Sequence, residues 1–462
     1  MLGVYQIAMS FFMVFFTIIS SGLPLAISKR VATKQAGGIV TAGLVISLIS
    51  STIVCFAVLL FRNLIGKLFT DPRCINILIA LIPSIIVASF YCVIRAVWWG
   101  EKRYFLLGIT ELMDQVLRMI VFAVMLSFAF LFGDMAQIAA ISYTVAFAVA
   151  SIIIVIIYLK IHPKKSEKLP QYAPLLRSAV PITGVRIVSS LTMPIIAVVL
   201  PLRLIASGLS STSALASFGI LMMMAFPLLT IPQTIVSSLS TALVPELSSA
   251  FNEEKKETIK RQINNSLKFT LFVNFLFLCI FISLGEGIGQ LLYKNIMSGI
   301  YLSKYSWVMI PMSLSQITNA ILNSLGAESR AMKNYFIGAV ALFASVWFLP
   351  SVVGISALVI GMGLCMSIAA TLNLILICKI TNTKIIMNVI VQILAFIAFS
   401  IPAFLCGYFV FGIFRNFGVY KNLLILILSL ATASAVTVSI FAILSYLFGM
   451  IKFGKFKIES VT

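Results

Sequence analysis

Glu111, Asp114 and Arg118 stand three, four and seven residues apart inside an otherwise apolar run. A helix through that run carries all three on one face. A charge at mid-membrane costs about 2.5–3.5 kcal/mol, so it faces a partner or a water-filled cavity. Two chemistries fit. Asp114 and Arg118 are an acid-to-base pair one turn apart that can tie a helix into its bundle. Alternatively, the three line a transport cavity, where Glu111 and Asp114 balance charge or bind and release a coupling ion, H+ or Na+. Arg186 is a further charge inside an apolar run, with no acid within four residues of it. It lies ~18 Å from the start of that run, about mid-depth and level with Arg118. It needs a counter-charge, supplied either by Glu111 on another helix or by a ligand. A planar guanidinium grips a pyrophosphate through two parallel hydrogen bonds.

The run that carries Arg186 also holds Pro181 and Pro194. The next run holds Pro227 and Pro232, followed by Gln233 and Ser237. Prolines inside spans free carbonyls and let helices bend. Serine and threonine in spans more often pack helices than bind ligand. Together these residues describe bent helices with a hydrophilic side, and Gln233 and Ser237 join Arg186 and Arg118 as candidate cavity residues. Enzyme signatures are missing from the sequence: it shows no metal-ligand cluster, nucleophile elbow or phosphate-binding loop. His162, beside Pro163, reads as a solvated loop residue, and the seven scattered cysteines read as free thiols. The expectation is a non-enzyme without metal or cofactor.

The elements that must hold these residues are membrane helices. The 462 residues are 61% hydrophobic and 10% charged, against about 25% charge in a soluble domain. Apolar runs long enough to cross ~30 Å of hydrocarbon recur along the chain and do not alternate, which selects helices. Thirteen spans are expected, at about 3–27, 37–61, 74–96, 107–131, 137–159, 174–203, 215–245, 264–284, 301–325, 333–350, 353–378, 388–411 and 421–448. The net charge of +20 is a topology signal rather than a nucleic-acid footprint. Lys and Arg crowd alternate loops, including Lys160–Lys168 and Lys452–Lys457, which puts those loops and the C-terminus in the cytoplasm. Asn252 to Gln262 reads as a short cytoplasmic surface helix.

A weak repeat runs through the chain. Gly22 to Ser28 is similar to Leu243 to Ser249, and Gly100 to Phe105 to Gly326 to Phe336. The offset of six spans makes it a parallel repeat. Span six has no counterpart in the first half, so a fourteenth helix is expected upstream of Met1. The resulting division is 1–160, a first lobe of five spans; 161–173, a basic proline-broken cytoplasmic linker; 174–380, a second lobe of six spans; and 381–462, two further spans and a basic tail.

These residues also carry a resemblance. Pro201 to Gly208, Phe218-Gly219, Pro227, Pro232 and Leu243 to Ser249 resemble the polysaccharide-transport branch of the multidrug/oligosaccharidyl-lipid/polysaccharide flippase superfamily, nearest its sporulation and lipid II flippases. Ser21 to Lys29 resembles the end of that family's second helix. Asp114-Gln-Val-Leu-Arg118 resembles its acid-Gln-x-x-Arg motif, with Asp in place of Glu, and Ile321 to Gly326 resembles a family turn, departing at two places. The resemblance implies an all-α polytopic protein of fourteen helices: two six-helix lobes around a cationic cavity, plus two C-terminal helices. It implies an alternating-access flippase of the bacterial cytoplasmic membrane. The cargo would be an undecaprenyl-pyrophosphate-linked cell-wall precursor, for peptidoglycan or spore cortex. The partners would be that lipid-linked sugar, membrane lipids and a coupling ion, with no nucleic acid. A drug/cation antiporter and a non-transporting membrane protein of spore envelope assembly are the competing readings.

Overall fold

The computed structural model describes residues 2–32, 38–69, 71–127, 135–161, 172–253, 255–383, 385–416 and 423–450. The expected linker lies almost wholly outside these residues, as do His162 and the basic tail. Among the described residues the chain is helical throughout, without strands, and is an all-α polytopic membrane protein. In chain order the helices are α1 (Leu2–Ser20), α2 (Gly22–Ala32), α3 (Ile39–Leu60), α4 (Arg62–Gly66), α5 (Arg73–Leu81), α6 (Pro83–Gly100), α7 (Tyr104–Ser127), α8 (Met135–Ile161), α9 (Tyr172–Ser190), α10 (Thr192–Ala206) and α11 (Ser211–Ile220). A π-helical turn, Leu221–Ala225, leads to α12 (Phe226–Leu229) and α13 (Ile231–Asn252). Then come α14 (Lys256–Tyr293), α15 (Ile296–Tyr305), α16 (Met309–Ser324), α17 (Glu328–Phe348), α18 (Pro350–Val353), α19 (Ser356–Thr381), α20 (Ile385–Asn416) and α21 (Leu423–Leu447).

Among the described residues, ten helical stretches are long and apolar enough to cross a membrane, against thirteen expected. Each of the other three departs for a visible reason. α7 carries Glu111, Asp114 and Arg118. The stretch 174–203 is divided between α9 and α10 at Leu191, three residues before Pro194, whose ring removes a helical hydrogen bond. The stretch 301–325 is divided between α15 and the polar α16, only 16 residues long. The expected surface helix at 252–262 is instead the first part of α14, which runs unbroken for 38 residues.

The chain forms two compact units, Met1–Gly219 and Ile220–Thr462. In the first, α2 and α3 pack on α6, α6 packs on α8, and α7 packs on α8. In the second, α13 and α14 pack on α16, α16 on α19, and α17 on α19, and α20 and α21 add to α14. The packing order is the same in both, as the repeat requires. The sequence assigns 174–203 to the second lobe, yet α9 and α10 pack in the first unit, against α1, α2 and α3. Gly22 permits this approach: a Cβ there would lie 2.2 Å from Thr183 Oγ1 and 2.3 Å from the Ala179 carbonyl oxygen.

Candidate functional site

α7 is the polar helix of the first unit. Asp114 faces inward and is buried, with 2% of its surface exposed. One turn later the Arg118 guanidinium closes on it in a two-pronged contact, Nη2 to Oδ2 at 2.5 Å and Nε to Oδ1 at 3.2 Å. The spacing that suggested this pair from the sequence thus forms it. The aromatic side of α8 holds the arginine in place: its guanidinium carbon lies 4.6 Å from the Tyr143 ring centroid and 5.5 Å from that of Phe147. Ring faces are electron-rich and attract a desolvated cation. Phe147 belongs to a buried cluster with Ala88, Tyr91, Ile94, Trp98 and Ile154, so the platform is rigid.

Glu111, a turn before Asp114, pairs with Arg95 of α6 rather than with Arg186. Arg95 also donates to the Tyr91 hydroxyl at 2.9 Å and sits over that ring. Two acids and two bases therefore balance along the α6–α7 seam. Asp114, on α7 itself, neutralises Arg118, and the α6–α7 contact neutralises Arg95. Sequence reading missed Arg95, because span three was ended at residue 96 and a basic residue there looks interfacial. The helix continues to Gly100. The available signal was Tyr91 and Arg95, one turn apart on the face that buries Ile94 and Trp98.

Arg186 differs from both. It is exposed one turn before the end of α9, and among the described residues it makes no ion pair or hydrogen bond. Three residues earlier, Thr183 meets Gly22, so α2 fixes the position of this helix. Arg186 is the arginine of a span whose charge is left for something else.

The remaining candidates lie in the second unit. Gln233, in the first turn of α13, is half-buried, and its Nε2 is buried without a hydrogen-bond partner. Ser237, one turn on, is exposed. Pro227 and Pro232 flank the break at Thr230, and Pro227 follows the π-helical turn. Pro181 lies within α9 and Pro194 in the first turn of α10. Among the described residues the second unit holds no charged pair between spans like those on α7. In their place is an amide network: Asn334 donates to Asn373 at 2.9 Å, and Asn373 donates to Asn319 at 2.9 Å and to Thr318 at 3.3 Å. No group of His, Cys, Asp and Glu able to hold a metal occurs among the described residues.

Comparison with known proteins gives four findings. A family model described as polysaccharide biosynthesis protein matches residues 2–251. Stage V sporulation protein B of Bacillus subtilis (strain 168) is 24% identical over 370 residues, 76% of this chain and 71% of that protein. Among solved structures, the lipid II flippase MurJ in an inward closed conformation aligns with a TM-score of 0.63 at 16% identity, covering 96% of this chain and 92% of its own. An inward-facing multidrug resistance MATE family transporter of the MOP superfamily aligns with a TM-score of 0.67 at 14% identity, covering 83% and 91%. At these identities the structural matches establish a shared fold.

Proposed function

We propose, on the premise that this chain belongs to the polysaccharide biosynthesis protein family of the MOP superfamily, that it is a flippase for an undecaprenyl-pyrophosphate-linked cell-wall precursor. Membership makes it a multi-pass membrane transporter. The finer reading concerns cargo and residues: a lipid-linked sugar pyrophosphate, moved across the bacterial cytoplasmic membrane by alternating access, with the C-terminus in the cytoplasm and a role in peptidoglycan or spore cortex synthesis.

One observation carries this reading: Arg186 is exposed in a helix of the first unit and has no acid partner among the described residues, while Arg95 and Arg118 are both neutralised. An unpaired guanidinium at such depth is stable facing water or an anion, and a pyrophosphate offers two oxygens to its fork. Arg118, gripped by Asp114, is then a positioning residue that keeps α7 on α8, and Glu111 and Asp114 balance charge. The drug/cation antiporter reading asks for a free carboxylate in a span, whereas Glu111 and Asp114 are each in an ion pair.

The test is translocation of a fluorescent lipid II analogue in proteoliposomes. Arg186→Ala should cut the rate roughly tenfold or more, the worth of a charge-assisted hydrogen bond, with normal protein abundance. Arg186→Lys should recover part of it, because charge is kept and the fork is lost. Unchanged transport by the alanine variant would remove Arg186 from the site and take this reading with it.

A further inference from the structure

The seam between α14 and α20 in the second unit carries two recesses, one polar and one apolar. With 38 residues, α14 is about 57 Å long against ~30 Å of hydrocarbon, so its first turns project beyond the apolar layer. Those turns border an open recess of about 840 Å³, lined by Glu257, Thr258, Lys260, Arg261 and Asn264 of α14 and Asn388 of α20. Lys260 and Arg261 are exposed, and among the described residues neither forms an ion pair, although Glu257 is one turn away. Asn264 accepts a hydrogen bond from Gln392 at 3.2 Å, and Gln392, 7% exposed, keeps its Oε1 buried without a partner. Three turns further along α14, about 16 Å away, the same seam opens into an apolar groove of about 410 Å³ between Phe275, Leu278 and Ile282 on one side and Ile397, Ile401 and Phe404 on the other.

We propose that this seam seats one anionic phospholipid of the bilayer, its phosphate against Lys260 and Arg261 and an acyl chain in the groove between Phe275 and Phe404. The separation of the two recesses matches the depth of one leaflet, about half of the ~30 Å hydrocarbon layer. Basic pockets between helices at a membrane face hold lipid phosphates by charge. Thr258, Asn264 and Asn388 supply neutral donors for the phosphate and ester oxygens. Glu257 sets the selectivity. With two bases and one acid the lining carries a single net positive charge, which matches a phosphodiester and disfavours the doubly charged pyrophosphate of a transport cargo. The site therefore stands apart from Arg186, and its occupancy is independent of transport.

The full chain in phosphatidylcholine nanodiscs should take up phosphatidylglycerol with about tenfold or greater preference, since each nearby base contributes about 1 kcal/mol toward an anionic lipid. Lys260→Gln with Arg261→Gln should erase that preference. Lys255→Gln should leave it intact, because Lys255 lies outside the recess and pairs with Glu253. Ile401→Trp, which fills the groove, should weaken binding of long-chain but not of short-chain phosphatidylglycerol, and it tests the acyl half separately. Equal binding by the double variant and the native chain would overturn the proposal. So would displacement by inorganic phosphate at equal concentration, which marks a free-phosphate site, or tighter binding of a polyprenyl pyrophosphate, which marks a cargo site. The readout is binding, so a chain that fails to transport lipid II can still pass, and one that transports can still fail.

Discussion

The two units solve the same packing problem with different polar chemistry. Both bring their helices together in the same order. The first unit pairs full charges: Arg95 with Glu111 across α6 and α7, and Asp114 with Arg118 within α7. The second uses neutral amides and hydroxyls: Asn334, Asn373, Asn319 and Thr318 in one chain of hydrogen bonds, and Ser313 donating to Asn274 at 2.8 Å in another. A neutral network needs only geometric satisfaction. An ion pair needs both members, since removing one strands a charge. The difference assigns unlike roles: the amide network fastens helices, while the charged seam neutralises Arg95 and Arg118, and Arg186 has no ion pair among the described residues.

The largest effect that separates the two should come from Asp114. Asp114→Ala leaves Arg118 without its carboxylate in a partly buried setting and should cost about 3 kcal/mol. Loss of the buried Asn373 amide by Asn373→Ala should cost about 1–3 kcal/mol, because its partners are neutral. Thermal midpoints of the purified variants in detergent would show the ranking. The double change Asp114→Ala with Arg118→Met should recover most of the first loss and do so without restoring charge. If Asp114→Ala proved milder than Asn373→Ala, the contrast between charged and neutral seams would collapse.

Some of this contrast is legible in the sequence, and some is not. The Asp114–Arg118 pair is readable because both residues are on one helix and the period fixes their proximity. Arg95 with Glu111 is not, because the partners come from two helices whose rotation is set by packing. The aromatic platform under Arg118 is hidden for another reason. Tyr143 and Phe147 look like any aromatic residues in an apolar run, and only the burial of Phe147 in the cluster with Trp98 turns that face inward. The amides of the second unit are scattered over four helices and carry no periodic signal. The all-helical membrane architecture was readable, since it rests on hydropathy, but the count was not: ten of the thirteen expected stretches are long and apolar enough to span among the described residues. The placement of α9 in the first unit was not, because it depends on a close approach at Gly22 that no single-sequence pattern reports.

That approach gives the second prediction. Gly22→Val would put side-chain atoms where Thr183 and the Ala179 carbonyl now sit, at 2.2 and 2.3 Å from a Cβ. Overpacking of this kind costs about 1–3 kcal/mol. The second unit has a corresponding tight contact in Gly338, whose Cβ would lie 2.4 Å from the Cys365 carbonyl oxygen. Gly338→Val should cost a similar amount. The two should differ in function: Gly22→Val shifts the helix that carries Arg186 and should also slow lipid II translocation, while Gly338→Val should lower stability alone. Equal effects of both on transport per folded molecule would detach Arg186 from the first unit's chemistry.

The smallest expected effect calibrates the charged seam against water. Asp71 and Arg73 form an ion pair before α5, at 2.7 Å, with the arginine half exposed. The hydrogen bond from the Arg73 side chain holds the Asp71 carboxyl below the usual carboxylate range, with the nearby guanidinium charge adding to it. A depressed folded-state pKa contributes stability that is fully present above the unfolded value of 3.8 and is lost as pH falls through the folded value. Asp71→Asn should therefore cost a small, constant amount between pH 6 and 8, within about 0.5 kcal/mol for a pair this exposed. The difference from the native chain should shrink as pH falls below 3.8 and through the folded value. It should also shrink as salt is raised, because a solvated pair is screened. The Asp114 variant, whose pair is held between helices, should keep its full deficit at the same salt. Thermal midpoints across salt at neutral pH would read both. A salt-insensitive Asp71 or a salt-sensitive Asp114 would mean that the two pairs share one dielectric setting, and the seam on α7 would then be an ordinary solvated face of the helix.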